Sequence, residues 1–333
     1  MCGRMVSFPS FSLEVLVRIR PLAALSAAAL SALLLAGCSA AAPSASPSPS
    51  ATASADLCSA AAPSGTASES VKVSGDVGKP ATVSFTSPLN VTALQSTVVK
   101  RGSGDPIAAG DLISIALSGY DAKTGKEVGN LGYGENTLLP QQISPDNPLA
   151  QLLGCAAPGT RVVATFPATE TSGAQVYVVD LLKVVPPAAW GTPQDPVAGM
   201  PTVKLDKDGS PTVTLPKGDI PTEFSKATLK KGDGATVKQG DSVLVQYHGV
   251  SWNTGKVFDE SWGKKPFSFT AGSGVVQGFS DAVIGETVGS QVIAVLPPSV
   301  AYGEGKINTS DLKGQTLVFV VDILGVQPAA PSQ

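Results

Sequence analysis

The stretch Gly240–Phe269, GDSVLVQYHGVSWNTGKVFDESWGKKPFSF, with VIAVLPPSVAYGEG over 292–305 and TLVFVVDIL over 316–324, decides how this chain reads. Val243, Val245 and Tyr247 alternate with Leu244, Gln246 and His248, the period of two of a half-buried strand. Gly249 ends the run, and Asn253-Thr254-Gly255-Lys256 supplies turn chemistry before the next strand. Aromatics make up 5% of the 333 residues, yet Tyr247, Phe258, Phe267, Phe269, Phe279, Tyr302 and Phe319 gather among these short strands. Phe269 reads as ordinary core. The others keep different company: Asp259 directly follows Phe258, and Tyr302 sits in an Ala-Tyr-Gly loop. An acid and a phenol among apolar rings describe a pocket better than a plain core.

Six motifs stand in register: VQYHG, KVFDES, KPFSF, VVQGF, PPSVAYG and TLVFVVDIL. In order and spacing they resemble the FKBP-type peptidyl-prolyl isomerases over roughly residues 222–326. The resemblance implies an α+β domain, an antiparallel sheet curled over a short helix, here Gln277–Glu286. It implies that Tyr247, Phe258, Asp259 and Tyr302 are the catalytic set. Tyr247, Phe258, Val275, Val276 and Phe319 would wall a proline ring, Phe267 would extend the wall, and Phe279 would form the floor. Asp259 would lie near the prolyl carbonyl and help hold Tyr247, and Tyr302 would donate a hydrogen bond to the bound peptide. The main departure is Phe279, where the best-known members carry Trp. The loop Gly303–Gln315 matches poorly and receives no site residue. Implied partners are proline-containing polypeptides and the family's macrolide inhibitors; no cofactor is implied.

Composition excludes other chemistries. A formal charge of −3 leaves no basic footprint for nucleic acid. A structural zinc site needs clustered Cys and His ligands, and His248 is the single His. No G-x-S-x-G elbow is present, and the glycines at 272, 274 and 278 have the wrong spacing for a dinucleotide loop. His248 alternates away from Tyr247 and is assigned no catalytic role. Charged residues are only 15%, and 35 Gly with 27 Pro favour strand- and loop-rich domains.

Residues 1–37 read as an export signal. Arg18 and Arg20 precede an uncharged, mostly apolar run, Leu22–Gly37, shorter than the roughly 20 residues of a membrane span. Leu35-Ala36-Gly37-Cys38 resembles the lipobox of bacterial lipoproteins, which makes Cys38 the lipidated mature N-terminus and places the protein outside the cytoplasm on a membrane. Residues 38–70, rich in Ser, Ala and Pro, are expected to form a flexible tether. Cys58 and Cys155 remain as an even pair in an oxidising compartment and are expected to bond; the alternative is two unrelated thiols.

The chain repeats itself. Lys100-Arg101-Gly102, Asp111, Gly119, Thr124-Gly125-Lys126 and Gly159 match Lys230-Lys231-Gly232, Asp241, Gly249, Thr254-Gly255-Lys256 and Gly289, each 130 positions on. Val176–Leu182 matches Val318–Leu324 at 142, the excess falling in the Tyr302 loop. At the site positions the first copy carries Leu117, Val128 and Gly129 for Tyr247, Phe258 and Asp259. The expected layout is a degenerate FKBP-like domain over 71–185, a proline-rich spacer over 186–202, an isomerase domain over 203–326 and a tail over 327–333. Trp190, within the spacer, is expected to pack on a neighbouring domain, and 201–221 to form a hairpin turning at Lys207-Asp208-Gly209. Two other readings remain open from sequence: a peptide- or partner-binding lipoprotein with little turnover, and a solute-binding lipoprotein, which the strand-dominated pattern disfavours.

Overall fold

The structure is a computed structural model that describes residues 56–330. The signal segment, Cys38 and most of the tether lie outside the described residues. Two short helices open the described chain, α1 (Leu57–Ala60) and α2 (Thr66–Ser70), followed by β1 (Lys72–Ser74), β2 (Thr82–Ser84), β3 (Gln95–Lys100), β4 (Leu112–Asp121), β5 (Glu127–Leu131) and β6 (Gln141–Gln142). Then come α3 (Pro148–Leu153), β7 (Arg161–Phe166), β8 (Gln175–Val185) and β9 (Thr192–Pro193). The second half holds β10 (Thr202–Leu205), β11 (Pro211–Thr214), β12 (Ser225–Lys231), β13 (Ser242–Ser251), β14 (Val257–Glu260), β15 (Phe267–Thr270), α4 (Gln277–Val283), β16 (Gln291–Leu296) and β17 (Leu317–Gln327).

Both halves have one architecture. The first sheet runs β3-β7-β8-β4-β5 and the second β12-β16-β17-β13-β14, all antiparallel, with β6 and β15 added to β4 and β13. Even the irregularities repeat. Ladder shifts between Val98/Lys100, Ser114/Ile115 and Gly119/Tyr120 recur between Thr228/Lys230, Leu244/Val245 and Gly249/Val250. Bulges bend and twist a strand locally, so the same curl is built twice.

Each sheet is covered on both faces. In the second half α4 and the inner side chains, among them Val243, Val245, Phe279 and Phe319, form one cluster. The β10–β11 hairpin covers the opposite face, with Val203 and Val213 packed on Val250, Ile293, Val318 and Val320. The half-buried expectation for 243–248 is therefore corrected: β13 is buried on both sides along most of its length. The polar residues on its second face survive burial by pairing, His248 Nδ1 with Glu260 Oε2 at 2.9 Å and Gln246 with Ser261. Leu244 meets Leu112, Val185 and Leu324 in a small core between the halves, with Leu139 and Trp190 against it.

Four further expectations change. The tether does not extend to residue 70: α1 and α2 fold onto the first sheet, burying Leu57, Ala67 and Ser68. Small residues permit this close packing, and Gln95 Oε1 accepts the Ala67 and Ser68 N–H groups at 3.1 Å. The 186–202 segment, expected as a proline-rich spacer, is tied to the second half. Ala189 N–H donates to the buried Asp322 carboxylate at 2.7 Å, Lys230 Nζ donates to Ala189 O at 2.9 Å, and β9 pairs with β12. The helix expected to reach Glu286 stops at Val283, because Ile284 turns extended and Gly285 takes φ +86°. The tail expected from residue 327 starts one residue later, since β17 runs to Gln327, and Ala329 N–H beyond it donates to Asp241 Oδ1 at 3.1 Å. Cys58 and Cys155 are bonded, joining the start of α1 to the chain just past α3 across 97 residues. No described helix is long and apolar enough to cross a membrane.

Candidate active site

The site is built on the inner face of the second sheet. Tyr247 stands on β13 and Phe319 on β17, paired strands that hold their rings 6.3 Å apart. Phe279, on α4, meets Phe319 at 5.0 Å and Tyr247 at 5.8 Å, both edge to face. Phe258, on β14, meets Phe319 edge-on at 5.4 Å. Phe267, on β15, meets Tyr247 at 5.7 Å and stacks on Phe269 at 5.8 Å. Such edge-to-face contacts fix ring orientation as well as burying area. Val275 and Val276 pack against the same core where the chain enters α4.

Phe258 lies close over Gly249 on the neighbouring strand. A Cβ on Gly249 would meet its ring at 2.6 Å. The pocket wall is thus set by a missing side chain on the neighbouring strand.

The polar edge is formed by three groups. Tyr247 Oη donates to Asp259 Oδ2 at 2.5 Å. Burial raises the Tyr247 phenol's pKa well above its ordinary value, and the Asp259 hydrogen bond and charge add to this, with a smaller push from nearby Tyr302. Tyr302 is 47% exposed; burial and then the Asp259 charge also raise its pKa. Both phenols therefore remain protonated donors at neutral pH. Lys264, which the sequence reading passed over, brings Nζ to 3.8 Å from Asp259 Oδ1, with both side chains largely exposed. A pair so exposed adds little.

The predicted residues of the second half thus gather on one face, while Cys58 and Cys155 belong to the first half. His248 lies on the opposite face of β13, paired with Glu260. At the matching place in the first half, Tyr177 replaces Phe319, packs edge-on against Phe166 at 5.5 Å and donates to Gln175. Leu117 and Val128 replace the phenol and the ring, and Gly129 leaves no carboxylate. The connection there, 167–174, is shorter than 297–316, which carries Tyr302.

The profile of the FKBP-type peptidyl-prolyl cis-trans isomerases matches residues 234–324. An FK506-binding protein of Streptomyces anulatus is 36% identical over 123 residues, covering 35% of this chain and 96% of the relative. This chain belongs to the FKBP-type peptidyl-prolyl cis-trans isomerase family. A probable FK506-binding protein of Corynebacterium glutamicum is 35% identical over 115 residues, 34% of this chain and 96% of its own length. Among solved structures, FkpA of Escherichia coli is 29% identical, covering 40% of this chain and 54% of that one, with a TM-score of 0.30. The FKBP match falls on the half that carries Tyr247, Asp259 and Tyr302.

Proposed function

We propose that the second half catalyses cis–trans isomerisation of Xaa-Pro bonds at the Tyr247–Asp259 site, and that the first half has no turnover of its own. The observation that carries this reading is the box of Tyr247, Phe258, Phe279 and Phe319 with one carboxylate-bound phenol at its edge. Rotation about the prolyl amide meets a barrier of roughly 18–20 kcal/mol from resonance. No bond breaks, so neither nucleophile nor cofactor is required. Twisting the amide removes charge separation between nitrogen and oxygen, so a low-dielectric box binds the twisted form better than the planar one. In this reading Phe279 is the floor, and Tyr247, Phe258, Val275, Val276 and Phe319 are the walls, extended by Phe267. Asp259 lies near the prolyl carbonyl and helps hold Tyr247, and Tyr302 donates to the peptide.

The relatives are named for binding FK506, and we extend macrolide binding to this pocket, with affinity altered by the Phe279 ring. The sequence Leu35-Ala36-Gly37-Cys38 supports a lipid on Cys38, a membrane-anchored extracytoplasmic location and exported proteins as clients. The test of activity is relaxation of a short Xaa-Pro peptide from its cis isomer with and without the full chain. Acceleration that a macrolide abolishes supports the reading; a rate equal to the uncatalysed one contradicts it. Mass spectrometry of the mature N-terminus tests the anchor, and an unmodified Cys38 on released protein contradicts it.

A further inference from the structure

Ser261 is the first residue after β14 and is 3% exposed. Its backbone N–H donates to Tyr247 O at 3.0 Å. Its hydroxyl accepts the Tyr247 N–H at 2.9 Å and donates to Gln246 Oε1. Both backbone polar groups of Tyr247 that face β14 therefore end on one serine. In a regular antiparallel pair the Tyr247 N–H would go to the carbonyl of the opposing residue. Here that carbonyl is used elsewhere, accepting the Lys264 N–H at 3.0 Å in the turn that follows. The hydroxyl stands in for the carbonyl, so the chain turns away while Tyr247 keeps its partner.

The first half supplies the comparison. The residue 130 positions earlier is Leu131, 44% exposed, and it pairs with Leu117 as an ordinary rung of the ladder. Where Tyr247 and Asp259 are replaced by Leu117 and Gly129, the serine is replaced as well. The turn that Ser261 permits leads to Phe267, whose ring lies against Tyr247, and Asp259 lies two residues before it. One hydroxyl thus joins the strand of the phenol, the strand of the carboxylate and the loop leading to the aromatic wall.

We propose that Ser261 is a positioning residue of the isomerase site: its hydroxyl fixes the Tyr247 backbone and so holds the phenol in reach of Asp259. This rests on the proposed activity, but its test has a readout independent of turnover. In the full chain, Ser261→Ala should lower kcat/KM for an Xaa-Pro peptide about tenfold, as leaving the part-buried Tyr247 N–H without its acceptor implies. Amide hydrogen exchange of the segment bearing Tyr247 should quicken by about tenfold in the same variant, since that N–H loses its acceptor. Ser261→Thr, which keeps the hydroxyl, should restore both to within about twofold of wild type. Rates are to be compared well below each variant's unfolding temperature. Ser261→Ala with a lowered Tm but unchanged kcat and KM would show a merely structural serine and overturn the proposal, as would unchanged exchange at Tyr247 or a Thr variant that stays folded yet behaves like Ala. If the wild-type chain showed no turnover at all, the proposed activity would fail, and the exchange difference between Ser and Ala would still decide whether Ser261 holds Tyr247.

Discussion

The hydroxyl of Tyr247 and the Oδ2 of Asp259 lie 2.5 Å apart, a phenol and a carboxylate joined across adjacent strands β13 and β14 at the edge of an aromatic box. A hydrogen bond to an ionised acceptor is about twice as strong as a neutral one. Asp259→Asn keeps an acceptor but removes the charge. It should reduce kcat/KM roughly five- to twentyfold and lower the pKa of the Tyr247 phenol, read by ultraviolet titration against the wild type. The sign follows from the raised phenol: its contribution to stability is full below about pH 10, the ordinary tyrosine value, and disappears as pH climbs through the folded-state value. A titration curve unchanged by Asp259→Asn would separate the two residues functionally.

Gly249 and Phe258 give a second test. A methyl group at 249 would press on the Phe258 ring at 2.6 Å, and the ring's far edge can tilt away. Gly249→Ala should therefore reduce activity by roughly three- to tenfold with little loss of stability. Gly119→Ala in the first half, where the neighbours are Val128 and Tyr177, should leave activity unchanged.

Asp322 sets a pH dependence. Burial pushes its carboxyl up, opposed by the Ala189 N–H, by Gln291 and by the Lys230 charge. Because the folded-state value is raised, its stabilising effect is full below the unfolded value of about 4 and is lost as pH rises through the folded value. In Asp322→Asn, Gln291 can turn its amide to accept from the new donor. The stability difference between wild type and variant should favour wild type more at acid pH than at neutral pH, as measured by urea unfolding. A difference independent of pH would show that this carboxyl does not titrate differently on folding.

Reading the sequence alone took the second half a long way, because its signals are local. Alternation over 243–248, turn glycines and six motifs in register locate β13 to β17, and the 130-residue offset carries the scaffold back to the first half. What escaped it depends on contacts between distant segments. Nothing in the composition of 57–70 shows that Leu57 finds a core, or that Gln95 receives the first N–H groups of α2. The proline run at 186–187 looks like a spacer until Ala189 is seen against Asp322. Ser261 was legible in principle, opposite Leu131 in the same register that exposed Leu117, Val128 and Gly129. A serine among turn residues carries no signal until its acceptor role is seen.

The Cys58–Cys155 bond closes a loop of 97 residues, which the chain-entropy account values at about 4–5 kcal/mol. Cys58→Ser with Cys155→Ser should lower stability by up to that amount, measured by denaturant unfolding. Isomerase activity should persist under conditions where the second half remains folded. Loss of activity at full folding would instead tie the bond to the site.

The central claim is that turnover resides in Tyr247, Phe258 and Asp259 and is absent from the matching residues of the first half. The most direct measurement places the first half's residue types in the second, as the full-length triple variant Tyr247→Leu, Phe258→Val and Asp259→Gly, and follows Xaa-Pro relaxation with the fold checked by circular dichroism. We predict a folded protein whose rate equals that of the uncatalysed peptide. A folded triple variant that retained wild-type kcat/KM would contradict the account.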